Sequence, residues 1–388
     1  MSKPGDTSSR HQPNVSWFEL FYDLIFIAIV AQVGKVLLAT PTWELSGLVL
    51  AAILSLFSVW LLVTVSHSLV PMNDPVRRAI LLVQMILLAV AVLALGVDGL
   101  PTWLGFIASS GALLLVSLVY WRNARQQPAL APILKATRTS SAVGAVILAG
   151  GAVLVAQPGQ AIELISTVLL LLGSLMSLIP ILGRGLRELV RLEAFDLVHL
   201  EERFALFVII ILGESFVGLL LSVGRLGYIP SPWYFVLTFL VAYAIWAIYY
   251  NILVPARMPA TVLGLRIWVL GHALLAVSVV AMAVEFTDLT LSSKAGKGLE
   301  FDGNWTPLPL FGVALALAML AFVAQGVPPT LARAQLLPVA ILAVLATIDL
   351  ASGSNDGDNY TLIGAVVLIA DSVMCALLSF RGERQAVR

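Results

Sequence analysis

The chain has 388 residues, 60% of them hydrophobic and only 11% charged, with a formal net charge of zero. A soluble domain carries about a quarter charged residues, so this composition excludes a water-soluble fold and points to an all-α polytopic membrane protein. The zero balance argues neither for nor against a polyanionic partner, and the single cysteine, Cys375, lies in an apolar run, which excludes a disulfide framework and a Cys-based metal site.

The chain opens with a polar tail, Met1 to Asn14, holding Lys3 and Arg10. The first apolar run after it is about as long as a full membrane span, so no cleavable signal peptide is visible. A span needs roughly 20 mostly apolar residues. Stretches of that kind fall at about 17–39, 44–66, 76–97, 101–121, 139–156, 161–182, 202–223, 233–253, 266–286, 308–325, 331–350 and 361–380, which predicts about 12 transmembrane helices. Connectors such as Thr40-Pro41, Gln157-Pro-Gly159 and Pro328-Pro329 separate them, and proline and glycine interrupt helices there for backbone reasons.

The basic residues test this count. With the N-terminus inside, every second loop collects them: Arg77 and Arg78, then Arg122 to Arg138, Arg184 to Arg191, Arg257 and Arg266, Arg333, and Arg381 to Arg388. The outer segments hold Arg225, Lys294 and Lys297, with Lys35 near an outer helix end. That bias predicts both termini in the cytoplasm. The expected organisation is a tail over 1–16, a first six-helix half over 17–182, a connector over 183–201, a second half over 202–380 and a tail over 381–388. Glu19 and Glu202 open spans six apart; an even offset is the pattern of two parallel six-helix repeats.

Ionisable groups in hydrocarbon cost several kcal/mol unless paired or hydrated, so each one is a candidate. Glu19 and Asp23 are four apart and share a helix face. Glu202 and Arg203 start the seventh span, and Glu214 lies near its middle. Arg203 and Glu214 are eleven residues apart, so they share a face but stand roughly 16 Å apart along the axis. Pairing of Arg203 with Glu19, Asp23 or another acid on a facing helix is expected. His272 in the ninth span suits either a proton relay or a hydrogen bond to a backbone carbonyl. Asp371 lies midway along the last span. His67 is expected at the inner interface, Gln32 and Lys35 either line a cavity or snorkel outward, and Tyr22, Tyr243, Tyr249, Tyr250 and Trp246 read as packing and interface aromatics.

Two stretches carry a family resemblance. Trp17-Phe-Glu-Leu-Phe-Tyr-Asp-Leu-Ile-Phe and Glu202-Arg-Phe-Ala-Leu-Phe-Val-Ile-Ile-Ile-Leu-Gly-Glu214 resemble the opening motif and the E-R-F-G-L-F core of the bacterial low temperature requirement A (LtrA) family. The resemblance implies a multi-pass protein of the bacterial cytoplasmic membrane. The family's name describes growth in the cold and implies no chemistry.

The residues themselves favour a transport protein, a proton- or cation-coupled carrier using buried carboxylates on helices 1 and 7. Glu214 and Asp23 would be proton or cation sites, with Arg203 and His272 as substrate or relay partners. Two alternatives stand beside it. One is an ion channel lined by helices 1 and 7; the other is an intramembrane enzyme working on a lipid or isoprenoid by acid–base chemistry. No Gly-x-x-x-x-Gly-Lys-Ser/Thr or Gly-x-Ser-x-Gly motif is present, and the four histidines are widely spread. No cofactor and no metal site are therefore expected. The expected partners are membrane lipids and a substrate that is a small molecule, an ion or a lipid; a homo-oligomer stays open, and nucleic acid is not expected.

Overall fold

The computed structural model describes residues 18–23, 43–70, 74–96, 99–194, 196–292, 308–352 and 357–386. All regular elements among them are helices. In chain order they are α1 (18–23), α2 (Trp43–Leu69), α3 (Pro75–Gly96), α4 (Thr102–Gln126), α5 (Ala131–Val155, preceded by a 3-10 turn, Pro128–Leu130), α6 (Gln160–Leu182) and α7 (Arg184–Arg191). There follow α8 (Leu197–Leu226), α9 (Pro232–Ile248, continued by a π-turn, Tyr249–Leu253), α10 (Val262–Ser292), α11 (Leu308–Val323), α12 (Pro329–Ala334), α13 (Leu336–Ser352) and α14 (Gly357–Ala386).

Among the described residues ten helical stretches are long and apolar enough to cross a membrane. They run through α2 to α6, α8 to α10, α13 and α14. The two remaining expected spans stand apart: α11 is a shorter apolar helix, Leu308–Val323, and 17–39 is described only over 18–23. The fifth span is longer than its sequence suggested, because α5 starts at Ala131 behind the 3-10 turn.

The spanning helices are apolar on nearly all sides because one side packs against protein and the other faces lipid. α2 sits deepest: Leu56, Trp60, Leu61, Leu62 and Val63 are all buried. The outward faces of α3 and α6 instead display Leu82, Ile86 and Leu93, and Leu164, Leu172 and Ile179. Between helices in lipid, close packing replaces the hydrophobic effect as the driving force, and small residues let backbones approach. At the α5–α6 crossing a Cβ added to Gly144 would stand 2.5 Å from the Gly173 carbonyl oxygen, and one added to Gly173 would stand 2.7 Å from that of Gly144. Ser140 Oγ donates across the same crossing to the Met176 carbonyl.

Polar contacts gather alternate helix ends on one face of the bundle. Asp74, before α3, takes Arg122 Nε of α4 at 3.1 Å, and this guanidinium holds the Asp74 carboxyl below its ordinary range. Arg266 at the start of α10 donates to the carbonyls of Leu182 and Gly183 at the end of α6. Glu201 accepts from the Met258 N–H in the α9–α10 connection. Arg257 pairs with Gln325, after α11, through two backbone hydrogen bonds of 2.8 Å each. On the other face the Ser231 N–H donates to the Thr290 carbonyl at 3.1 Å, and Thr361 donates to Glu285.

The connector expected over 183–201 contains α7 and the first turn of α8. That turn forms because Asp196, a residue type favoured as an N-cap, accepts a hydrogen bond from the His199 N–H at 3.0 Å. The early start places His199 on the helix, facing α1.

Candidate functional site

α1, α2 and α8 converge on a layer of buried charge. Asp23 of α1 and Arg203 of α8 form an ion pair, with Arg203 Nη2 2.8 Å from Asp23 Oδ1. Neither side chain reaches solvent: Arg203 is 0% and Asp23 is 2% exposed. Trp60 of α2 donates its indole N–H to the same carboxylate oxygen at 3.0 Å. Thr64, one turn further along α2, places its hydroxyl 3.5 Å from Arg203 Nη2. Among the described residues Asp23 Oδ2 and Arg203 Nε and Nη1 are buried without a hydrogen-bond partner.

One turn back on α1, Glu19 meets two histidines. Its Oε1 is 3.2 Å from His67 Nδ1 at the end of α2, and its Oε2 is 3.8 Å from His199 Nε2 on α8. All three are buried. His67, at the end of α2, is thus enclosed by protein. Beside it Arg77 donates to the Val70 carbonyl and to Ser66 Oγ, both at 2.7 Å, and Asn123 Nδ2 donates to the same hydroxyl at 2.9 Å. The layer therefore combines two carboxylates, two guanidinium groups and two imidazoles from three helices and the short α1 segment.

Aromatic rings pack below and around it. Phe207 stacks on Trp60 with centroids 4.3 Å apart, and Phe204 meets the same indole edge-on at 5.5 Å. Phe204 also contacts His272 at 4.4 Å, so the ninth-span histidine adjoins the layer through a ring and not through a charge. Both of its nitrogens are occupied. Nδ1 lies 2.8 Å from the Trp268 carbonyl and Nε2 lies 2.8 Å from the Tyr249 hydroxyl. A carbonyl oxygen only accepts, so Nδ1 carries the proton and Nε2 accepts from Tyr249. Of the two roles its sequence context allows, the backbone hydrogen bond is the one the geometry contains.

The other candidates lie elsewhere. Glu202 is half-buried with Oε2 unpartnered. Asp371 of α14 is buried, with Oδ1 3.3 Å from Gln335 Nε2, at the α12–α13 break, and Cys375 one turn away on its own helix. It belongs to the bundle but not to the ionic layer. The backbone of Glu214 continues α8; its side chain lies outside the described residues, as do Gln32 and Lys35. Tyr22 does more than pack: its hydroxyl donates to Gln84 Oε1 at 3.2 Å. His199 is the member with no role in the sequence pattern, and His67 carried there only an interfacial one. They are 132 positions apart in sequence, and the available signal was the Asp196 cap before His199.

Fold and layer together define an integral membrane protein of many apolar helices with an ion pair sealed in its interior. The chain belongs to the bacterial low temperature requirement A protein (LtrA) family, whose model matches residues 14–371. Among curated proteins no relative matches the chain.

Proposed function

We propose that the protein is a proton- or cation-coupled carrier whose coupling element is the ionic layer of Asp23, Arg203, Glu19, His67 and His199. The observation that carries this reading is the fully buried Asp23–Arg203 pair joining α1 to α8, with an acceptor and two donor nitrogens left over among the described residues. A buried ion pair is weak evidence for stability, because desolvation of both charges offsets most of their attraction. Ionisable groups inside membrane bundles more often mark ion and substrate routes.

The chemistry follows from mutual exclusion. While Asp23 is ionised it holds Arg203. A proton or cation on Asp23 releases Arg203, whose free edge then takes an anionic group of the solute. Loss of the proton restores the pair and expels that group. Glu19, between His67 and His199, is placed to pass the proton toward Asp23 from the basic face of the bundle. Glu214, further along α8, is the next acidic position on the route, and Glu202, Asp371 and His272 support helix packing around it. The twelve-span count, cytoplasmic termini and two parallel six-helix halves belong to this reading, with α1 and α8 opening the two halves.

The test uses the full chain in proteoliposomes with an entrapped pH-sensitive dye and a panel of small carboxylates as solutes. Under an inward solute gradient with the membrane potential clamped at zero, a solute-dependent proton flux is expected in the parent and in Arg225→Gln. Asp23→Asn should lower it at least tenfold. A flux that Asp23→Asn leaves intact, or unitary currents independent of solute, would overturn the carrier reading.

A further inference from the structure

A groove of about 580 Å³ runs along the outer surface of the bundle between α5 and α6. Its wall is apolar over most of its length, formed by Pro132, Ala136 and Val143 of α5 and Met176 of α6, with Lys135 and Thr139 on its rim. Pro132 and Val143 are eleven residues apart on one helix, so the groove follows α5 for about 16 Å. It opens on a surface that continues with exposed Val146, Leu172 and Leu175, a face that only lipid tails or another apolar surface can cover.

The charge at one end is of a single sign. Lys135 and Arg138 are exposed near the start of α5, and Arg184 and Arg187 are exposed on α7. α7 abuts that same end: a Cβ on Gly185 would stand 3.0 Å from Ile133 Cγ2. α7 buries Leu186 and Leu189 and turns its arginines outward, the form of a helix lying in the membrane interface. Its only carboxylate, Glu188, is taken by Arg191. Among the described residues none of Lys135, Arg138, Arg184 and Arg187 has a carboxylate partner. The Thr139 hydroxyl is occupied, donating to the Lys135 carbonyl at 3.0 Å, so the headgroup contact falls to the basic side chains.

We propose that this groove is a binding site for one anionic phospholipid, with an acyl chain against Ala136, Val143 and Met176 and the phosphate at Lys135. The geometry separates the two parts as a lipid does: cation at the interface, apolar trough running inward. Basic pockets between helices at a membrane surface select anionic headgroups for this electrostatic reason. The Ser140–Met176 bond and the Gly144–Gly173 crossing hold the walls in place, so the site is formed before the lipid arrives.

The experiment takes the full chain in detergent, stripped of lipid and offered dioleoyl phosphatidylglycerol or dioleoyl phosphatidylcholine, with bound lipid counted by native mass spectrometry. Phosphatidylglycerol adducts are expected to exceed phosphatidylcholine adducts at least threefold. Lys135→Gln should remove that preference, Lys135→Arg should keep it, and Val143→Trp, which fills the trough, should lower occupancy by both lipids. Equal binding of the two lipids, or a preference that Lys135→Gln leaves intact, overturns the proposal. So does a dimer in the parent that Val143→Trp abolishes, since a second copy would then be the occupant.

Discussion

A guanidinium offers several N–H donors in a planar fork, and among the described residues Arg203 uses Nη2 alone, on Asp23 at 2.8 Å and Thr64 at 3.5 Å. The arrangement is asymmetric in what each substitution leaves behind. Arg203→Ala strands a buried carboxylate with a single indole N–H, and breaking a buried pair by removing one partner costs about 3–5 kcal/mol. Removing both partners leaves no uncompensated charge. Arg203→Ala and Asp23→Ala should each lower the unfolding temperature in detergent, and the double variant should lie well above the sum of the two losses. Arg225→Ala, an exposed position near the end of α8, should stay within about 0.5 kcal/mol of the parent. Thermal unfolding followed by circular dichroism checks this. An Arg203→Ala protein that melts with the parent would mean the pair contributes nothing.

At the scale of elements, two glycines in α5 separate packing from propensity. Gly144 meets α6 backbone to backbone, whereas a Cβ at Gly150 would find nothing within 4 Å. Gly173, opposite Gly144, would drive a Cβ to 2.8 Å from the Leu148 nitrogen. Gly173→Ala should therefore destabilise by about 1–3 kcal/mol through overpacking, while Gly150→Ala should stabilise by about 0.5–1 kcal/mol through helix propensity. Thermal unfolding of the two variants in one detergent checks the sign, and a shared sign would put the α5–α6 crossing in doubt. The same crossing shows what the sequence could convey. Apolar length and proline breaks disclosed most of the helices, because each span is a local property of about 20 residues. The start of α8 at Leu197 depended on one capping side chain, Asp196, inside a stretch that reads as a charged connector. The Asp23–Arg203 partnership was legible as a need for neutralisation, with Glu19 an equally good partner on paper. The choice was made by helix rotation: Asp23 faces Arg203, and Glu19 faces His67 and His199. No local pattern encodes that rotation, because the three elements are brought together only by packing.

At the scale of the whole molecule, the contacts and the charges fall on the same face. Asp74–Arg122, Arg266 with the end of α6, Glu201 with Met258, and Arg257 with Gln325 all join segments on one face. Lys135, Arg138, Arg184, Arg187 and Arg333 lie at helix ends of the same phase. Basic loops stay on the cytoplasmic side, so this face should be internal. Exposed positions test it: Gln126 and Gln325 on the basic face, Gln157 and Tyr228 at helix ends of the opposite phase. Cys375 is buried and is the only cysteine, and Cys375→Ser gives a silent background. Single cysteines at 157 and 228 should react with a membrane-impermeant maleimide on intact cells, and those at 126 and 325 only after permeabilisation. Between 126 and 325 the chain passes through six expected spans, α11 among them, so the two must label from the same side. If position 325 labels from outside while 126 does not, the short helix α11 fails to cross and the count of twelve falls.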